Sequence, residues 1–276
     1  MTFENSRMNN IVVLGTLAAI FILGLFLRFG VLAGTVVDTP VRADARKYVT
    51  YAYNLSHFDV YSGQRLGTSS LDSKPKPDAV ITPGYPVYLS LFFDKEGPIM
   101  WDQLKSSLQV QTFLSGLCVI IVFFIFAPIV GNFFGLFVAF LTAISPHLIA
   151  INIYLLTESL FCFLLFSWLL LLGKTNEKTP LSFLFLCGSI LAASMLTRAW
   201  IQYFIFFLIP VLVWGINNPL FHKKGKAIAF ALGYGLVFSI WLGRNYMVLG
   251  ASGDNTLMLA TLQGGMYPDM MYKFMP

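Results

Sequence analysis

The sequence predicts an all-α integral membrane protein. Three observations predict it. Charged residues make up only 11% of the chain, against about 25% in soluble domains. Apolar residues reach 57% and the mean hydropathy is +0.73. The apolar residues are gathered into runs near the roughly 20 residues that cross a hydrocarbon core as helix. Aromatics at 16% suit lipid-facing helices and interfacial belts.

The first span is expected at 11–34, IVVLGTLAAIFILGLFLRFGVLAG, interrupted only by Arg28 near its exit. It is longer than the roughly 7–15 apolar residues of a signal peptide, so it is expected to be retained. Arg28 is expected to snorkel to the headgroups. Residues 35–105 then form one large polar loop. It holds eight of the thirteen acidic residues, among them Asp44 and Asp78. Within it, 43–55 has helical spacing, with Tyr48, Tyr51, Ala52 and Leu55 on one face and Asp44 one turn before Tyr48. This suits a helix in the interface plane. Residues 63–80, with KPKPD at 74–78, read as a mobile loop. ITPGYPVYLSLFF at 81–93 contains a turn and an apolar run too short to span.

Further spans are expected at 106–129, 132–150, 152–172, 181–197, 199–216 and 227–243, about seven in all, in a single domain covering 1–276. Residues 247–276 form a polar tail. With the N-terminus inside, the cytoplasmic segments carry Arg7 and five lysines against Glu4 and Glu177. That charge balance obeys the positive-inside rule. It puts the 35–105 loop, the tail, Asp44, Glu158, Arg198 and Arg244 on the outer face.

The net charge of +5 comes with no basic patch interleaved with aromatics, so it is not a nucleic-acid signal. Cys118, Cys162 and Cys187 all fall in apolar runs and read as small packing residues. No dinucleotide loop, phosphate loop or nucleophile elbow is present, and no His or carboxylate cluster demands a metal.

The ionisable residues near span ends are informative. Each costs about 2.5–3.5 kcal/mol at membrane depth and calls for a partner or a task. Two arginines can hold phosphate oxygens in fork geometry, and a nearby carboxylate can take a proton from an attacking hydroxyl.

The motif order resembles that of the GT-C class of polyprenyl-phosphate-dependent glycosyltransferases, and within it the family of protein O-mannosyltransferases and the lipid A aminoarabinose transferase. The resemblance rests on five motifs. They are Asp44 with Tyr48 and Ala52-Tyr53-Asn54-Leu55, then Pro83-Gly84-Tyr85-Pro86, Thr157-Glu158, Leu196-Thr197-Arg198, and Trp241 through Arg244-Asn245-Tyr246. It extends from residue 11 to about 265. Ala45 stands where family members often carry a second carboxylate, and the family usually has more spans and a C-terminal extracytoplasmic part. The resemblance therefore implies a truncated or minimal member.

It also implies an inverting transfer of a sugar from a polyprenyl- or dolichyl-phosphate donor to a hydroxyl on a protein, lipid or glycan acceptor. The reaction would lie on the extracytoplasmic face of the plasma (inner) membrane. Asp44 would be the general base. Arg198 and Arg244 would bind the donor phosphate, Glu158 would orient the acceptor or an arginine, and Tyr48 and Tyr85 would line the substrate site. A metal is possible in the class, but no cofactor is expected here. The alternatives are a transporter or flippase of a lipid-linked or anionic substrate, and an inactive truncated homologue. The transporter reading is disfavoured by the absence of an internal repeat.

Overall fold

The computed structural model describes residues 2–64, 74–198 and 224–253. Among them every regular element is a helix. The elements are α1 (Thr2–Gly34), α2 (Ala43–Phe58), α3 (Gly84–Ser90), α4 (Trp101–Val130), α5 (Asn132–Ile144), α6 (Pro146–Ala150), a 3-10 turn (Ile151–Ile153), α7 (Glu158–Gly173), α8 (Leu181–Thr197) and α9 (Lys224–Leu249). Among the described residues three stretches are long and apolar enough to cross a membrane: Asn10–Gly34, Trp101–Val130 and Gly225–Leu249. α5 with the α6 segment makes a fourth if the bent pair counts as one span. The expected span at 199–216 lies outside the described residues, as does most of the expected tail.

Several boundaries differ from the sequence expectation. α4 begins at Trp101, so the polar loop ends a turn earlier than 105. The expected span at 132–150 is broken, with a 49° bend between its halves. The break falls at Pro146, whose ring cannot donate to the carbonyl four residues back and clashes with it. That carbonyl belongs to Thr142. The expected span at 152–172 becomes helical only at Glu158. α7 and α8, with 16 and 17 residues, measure about 24–26 Å at 1.5 Å per residue. α9 runs on to Leu249, so Arg244 lies inside the helix instead of beyond its end.

Arg28 does not snorkel. It is fully buried. Its Nη2 donates to the Thr142 carbonyl at 2.9 Å and its Nη1 to the Ala143 carbonyl at 2.9 Å. These are carbonyls that the α5 terminus leaves without intrahelical partners. A cation there also complements the negative end of the helix dipole. Nη1 reaches Gly24 O at 3.0 Å, and Nε reaches Ser115 Oγ at 3.1 Å on α4. Pro146 breaks the helix, and Arg28 satisfies the groups exposed by the break. One side chain thereby ties α1, α4 and α5 together.

Two packed regions differ in how their helices meet. In the first, α2 and α3 cover the starts of α4 and α7 through Ala45, Val49, Ala52, Tyr85, Leu89, Leu104, Leu108, Leu155 and Leu160. In the second, α8 and α9 meet along a seam with glycines on both sides. A Cβ on Gly188 would lie 2.1 Å from Phe230 O, and one on Gly233 would lie 1.9 Å from Phe185 O. Only glycine permits that approach, a familiar device of membrane helices.

Candidate functional site

α2 carries Asp44 in its first turn, where a carboxylate is favoured by the helix dipole. The side chain is 62% exposed and pairs with Lys47 Nζ at 3.2 Å. An exposed pair of this kind is worth little. Asp44 is therefore reachable, and its carboxylate is easily released.

One helical turn later comes Tyr48, on the same side of α2 and half-buried. Its ring packs edge-on against Tyr85, with centroids 5.2 Å apart. Burial is the main cause that holds the Tyr48 hydroxyl above its ordinary pKa, followed by Asp44 and Glu158. Thr157 and Arg198 act in the opposite direction. Tyr48 thus lies within electrostatic reach of three ionisable residues that are far apart in sequence.

Tyr85 is fully buried at the start of α3. Its hydroxyl donates to Gln111 Oε1 at 2.7 Å, and Gln111 Nε2 donates to Tyr154 O at 2.9 Å. Burial raises its pKa well above 10. Next to it, Gly84 abuts the end of α8. A Cβ there would lie 2.6 Å from Thr197 Oγ1 and 2.7 Å from Thr197 N. The Pro-Gly-Tyr-Pro and Leu-Thr-Arg segments are therefore in direct contact, and the glycine is required by that contact.

Glu158 opens α7, and its Oε1 accepts from Arg198 Nη1 at 2.8 Å. Both side chains are about one-third exposed, at 31% and 32%. Behind the pair runs a buried polar chain. Ser159 Oγ donates to Asn152 Oδ1 at 2.9 Å, and Asn152 Nδ2 donates to Ser115 Oγ at 3.2 Å. Ser115 in turn accepts from Arg28. A cavity of about 210 Å³ adjoins the chain, lined by Ser115, Cys118, Glu158, Ser159, Cys162 and Phe166 among others.

Arg244 belongs to a neighbouring cluster. Nη1 donates to Asp78 O at 2.6 Å and to Asn245 Oδ1 at 3.0 Å, and Nη2 donates to Tyr61 O at 2.9 Å. The guanidinium also lies 5.4 Å from the ring centroids of both Tyr61 and Trp241. Among the described residues its polar contacts outside α9 go to the loop following α2, and none goes to Asp44, Glu158 or Arg198. The link between the two clusters is Tyr48, which packs against both.

Asp78 reads in sequence as one more solvated loop acid, but it organises that loop. Its carboxylate accepts from the Tyr51 hydroxyl and from Gly63 N, the latter at 2.8 Å. The described parts of the expected mobile loop, 63–64 and 74–80, are thus anchored to each other. Gln111 and Asn152 were also missed. A polar residue inside an apolar run was the available signal. Among the described residues, no group of three or more His, Cys, Asp or Glu is arranged to hold a metal ion.

Comparisons with protein-family models, curated proteins and solved structures return no match for this chain.

Proposed function

We propose that this chain is a GT-C-type membrane glycosyltransferase that takes a sugar from a polyprenyl- or dolichyl-phosphate donor on the extracytoplasmic face of the plasma (inner) membrane. The observation that carries the reading is the partly exposed Glu158–Arg198 ion pair, with Tyr48 close enough to feel the charges of both and of Asp44 on its own helix. Contact between the Pro83–Pro86 and Leu196–Arg198 segments supports it. These residues come from four separate stretches of sequence, and chance burial gives no reason for them to converge at a half-open, charged position.

In this reading Asp44 accepts the proton of the acceptor hydroxyl. The hydroxyl oxygen forms its bond to the anomeric carbon as the bond to the donor phosphate oxygen breaks. The phosphate leaves as an anion, so no general acid is required. Arg198 stabilises the charge that builds on it, and Glu158 holds Arg198 in place. Arg244 would bind the same phosphate by exchanging the Tyr61 and Asp78 carbonyls for phosphate oxygens. Tyr48, backed by the buried Tyr85, forms the apolar wall between base and phosphate.

The broken α5–α6 helix is a feature also found in transporters. Here its freed carbonyls are filled by Arg28 and are not open to a transported ion, which favours the enzyme.

The test is transfer in proteoliposomes supplied with polyprenyl-phosphate sugars. Asp44→Asn is expected to lower transfer by about 10²–10⁴-fold while donor binding and thermal stability stay near wild type. Transfer at the wild-type rate by Asp44→Asn would remove the assignment of the base. Failure of the wild-type chain to bind any polyprenyl phosphate would sink the whole reading.

A further inference from the structure

The opposite end of the helices carries a second polar site, independent of the first. The loop between α7 and α8 is short and rigidly built. Asn176 N donates to Thr179 Oγ1 at 2.8 Å, Lys178 N donates to Asn176 Oδ1 at 2.8 Å, and Thr179 N donates to Asn176 O at 3.1 Å. Beneath it Lys226, only 4% exposed, reaches from α9. Its ammonium donates to Asn176 O at 2.6 Å and Glu177 O at 2.9 Å. A buried lysine with carbonyl partners is a costly way to hold a loop. It fixes the loop shape and places a positive charge under it.

The outer surface of this loop forms an open cleft of about 330 Å³, lined by Lys174, Asn176, Lys178, Thr179, Pro180 and Phe183. Lys174 Nζ is steered by the Phe124 ring, 5.6 Å from its centroid. Among the described residues, neither Lys174 nor Lys178 forms an ion pair, although Glu177 lies in the same loop. Lys174 and Lys178 thus line one cleft together with apolar Pro180 and Phe183. The positive-inside rule assigns this end to the cytoplasmic leaflet, where anionic headgroups concentrate.

We infer that this cleft binds the phosphate of an acidic phospholipid headgroup, held by Lys174 and Lys178, with the glycerol and first acyl carbons against Pro180 and Phe183. A topogenic role alone accounts for lysines at this end. It does not account for a loop pre-shaped by Lys226 or for a cleft lined by both lysines. Two cations select a phosphodiester with no headgroup cation of its own, and the apolar Pro180 and Phe183 distinguish an acidic phospholipid from a free ion.

The experiment uses the full chain purified in neutral detergent and titrated with short-chain phosphatidylglycerol, phosphatidylcholine or inorganic phosphate. Thermal melting and native mass spectrometry are the readouts. Phosphatidylglycerol is expected to raise the melting temperature and remain bound, whereas phosphatidylcholine is not. Lys174→Gln with Lys178→Gln is expected to remove most of that rise and the retained lipid, with the lipid-free melting temperature unchanged. Lys95→Gln with Lys105→Gln, at the other end of the helices, is expected to keep both. The inference is overturned if the Lys174/Lys178 variant retains the lipid or if the control variant loses it equally. An equal shift from inorganic phosphate would also overturn it, by making the cleft a free-ion site.

Discussion

The α2–α3 region and the α8–α9 seam are both well packed, but they are held by opposite means. Around α2 and α3, order comes from side chains with polar ends. Tyr85 is fixed by Gln111, Tyr51 by Asp78, and the loop carbonyls by Arg244. Along the α8–α9 seam, order comes from the removal of side chains, with backbone meeting backbone at Gly188 and Gly233. The first arrangement leaves the Glu158–Arg198 pair at a half-open position. The second excludes everything but helix. The contrast shows where this chain can tolerate chemistry and where it can tolerate only shape.

The sharpest way to break this contrast is at Gly233. Gly233→Val puts a branched side chain where even a Cβ meets Phe185 O at 1.9 Å. A loss of about 3 kcal/mol is expected, seen as a lower thermal midpoint in detergent with amide exchange rising first in α8 and α9. Equal loosening of α2 would show that the two regions are one cooperative unit.

A smaller effect is expected at Arg244. Arg244→Gln removes bonds from a charged donor to two loop carbonyls and its aromatic stacking, about 2 kcal/mol of local stability. Amide exchange at Gly63 and Asp78 should accelerate while α8–α9 protection is unchanged. Unchanged exchange at Gly63 would show that Asp78 holds the loop without Arg244.

The smallest effect is expected from alkaline pH. Burial is the leading cause that raises the Tyr48, Tyr61 and Tyr85 hydroxyls. The unfolded chain releases these protons near pH 10. Because the folded values are higher, the contribution of these groups is fully present below about pH 10 and is lost as pH rises through the folded values. Exchange in α2 and α3 should therefore rise above pH 10 before the Gly188 and Gly233 contacts loosen. A seam that loosens at lower pH would reverse the comparison.

Much of this was legible in the sequence. Apolar run length revealed the long apolar helices α1, α4 and α9, and spacing of Tyr48, Tyr51 and Ala52 revealed α2. What escaped depends on partners far along the chain. Arg28 looked like a residue at a span exit because nothing local reveals the carbonyls that Pro146 frees more than a hundred residues later. Asp78 looked like its solvated neighbours because Tyr51 and Gly63 are contacts of the folded loop. The Tyr61 and Asp78 carbonyls that hold Arg244, and the extra turns of α9 around it, are not visible in its own motif.

By itself the sequence determined that this chain is helical and has stretches made for a membrane, because hydrophobicity and helical period are properties of neighbours. Only the tertiary structure decided which polar groups meet. It brought Glu158 to Arg198, Gly84 to Thr197 and Arg28 to the broken end of α5. In an apolar interior each buried polar group must find a partner, and that partner is chosen by packing, whatever its distance along the chain.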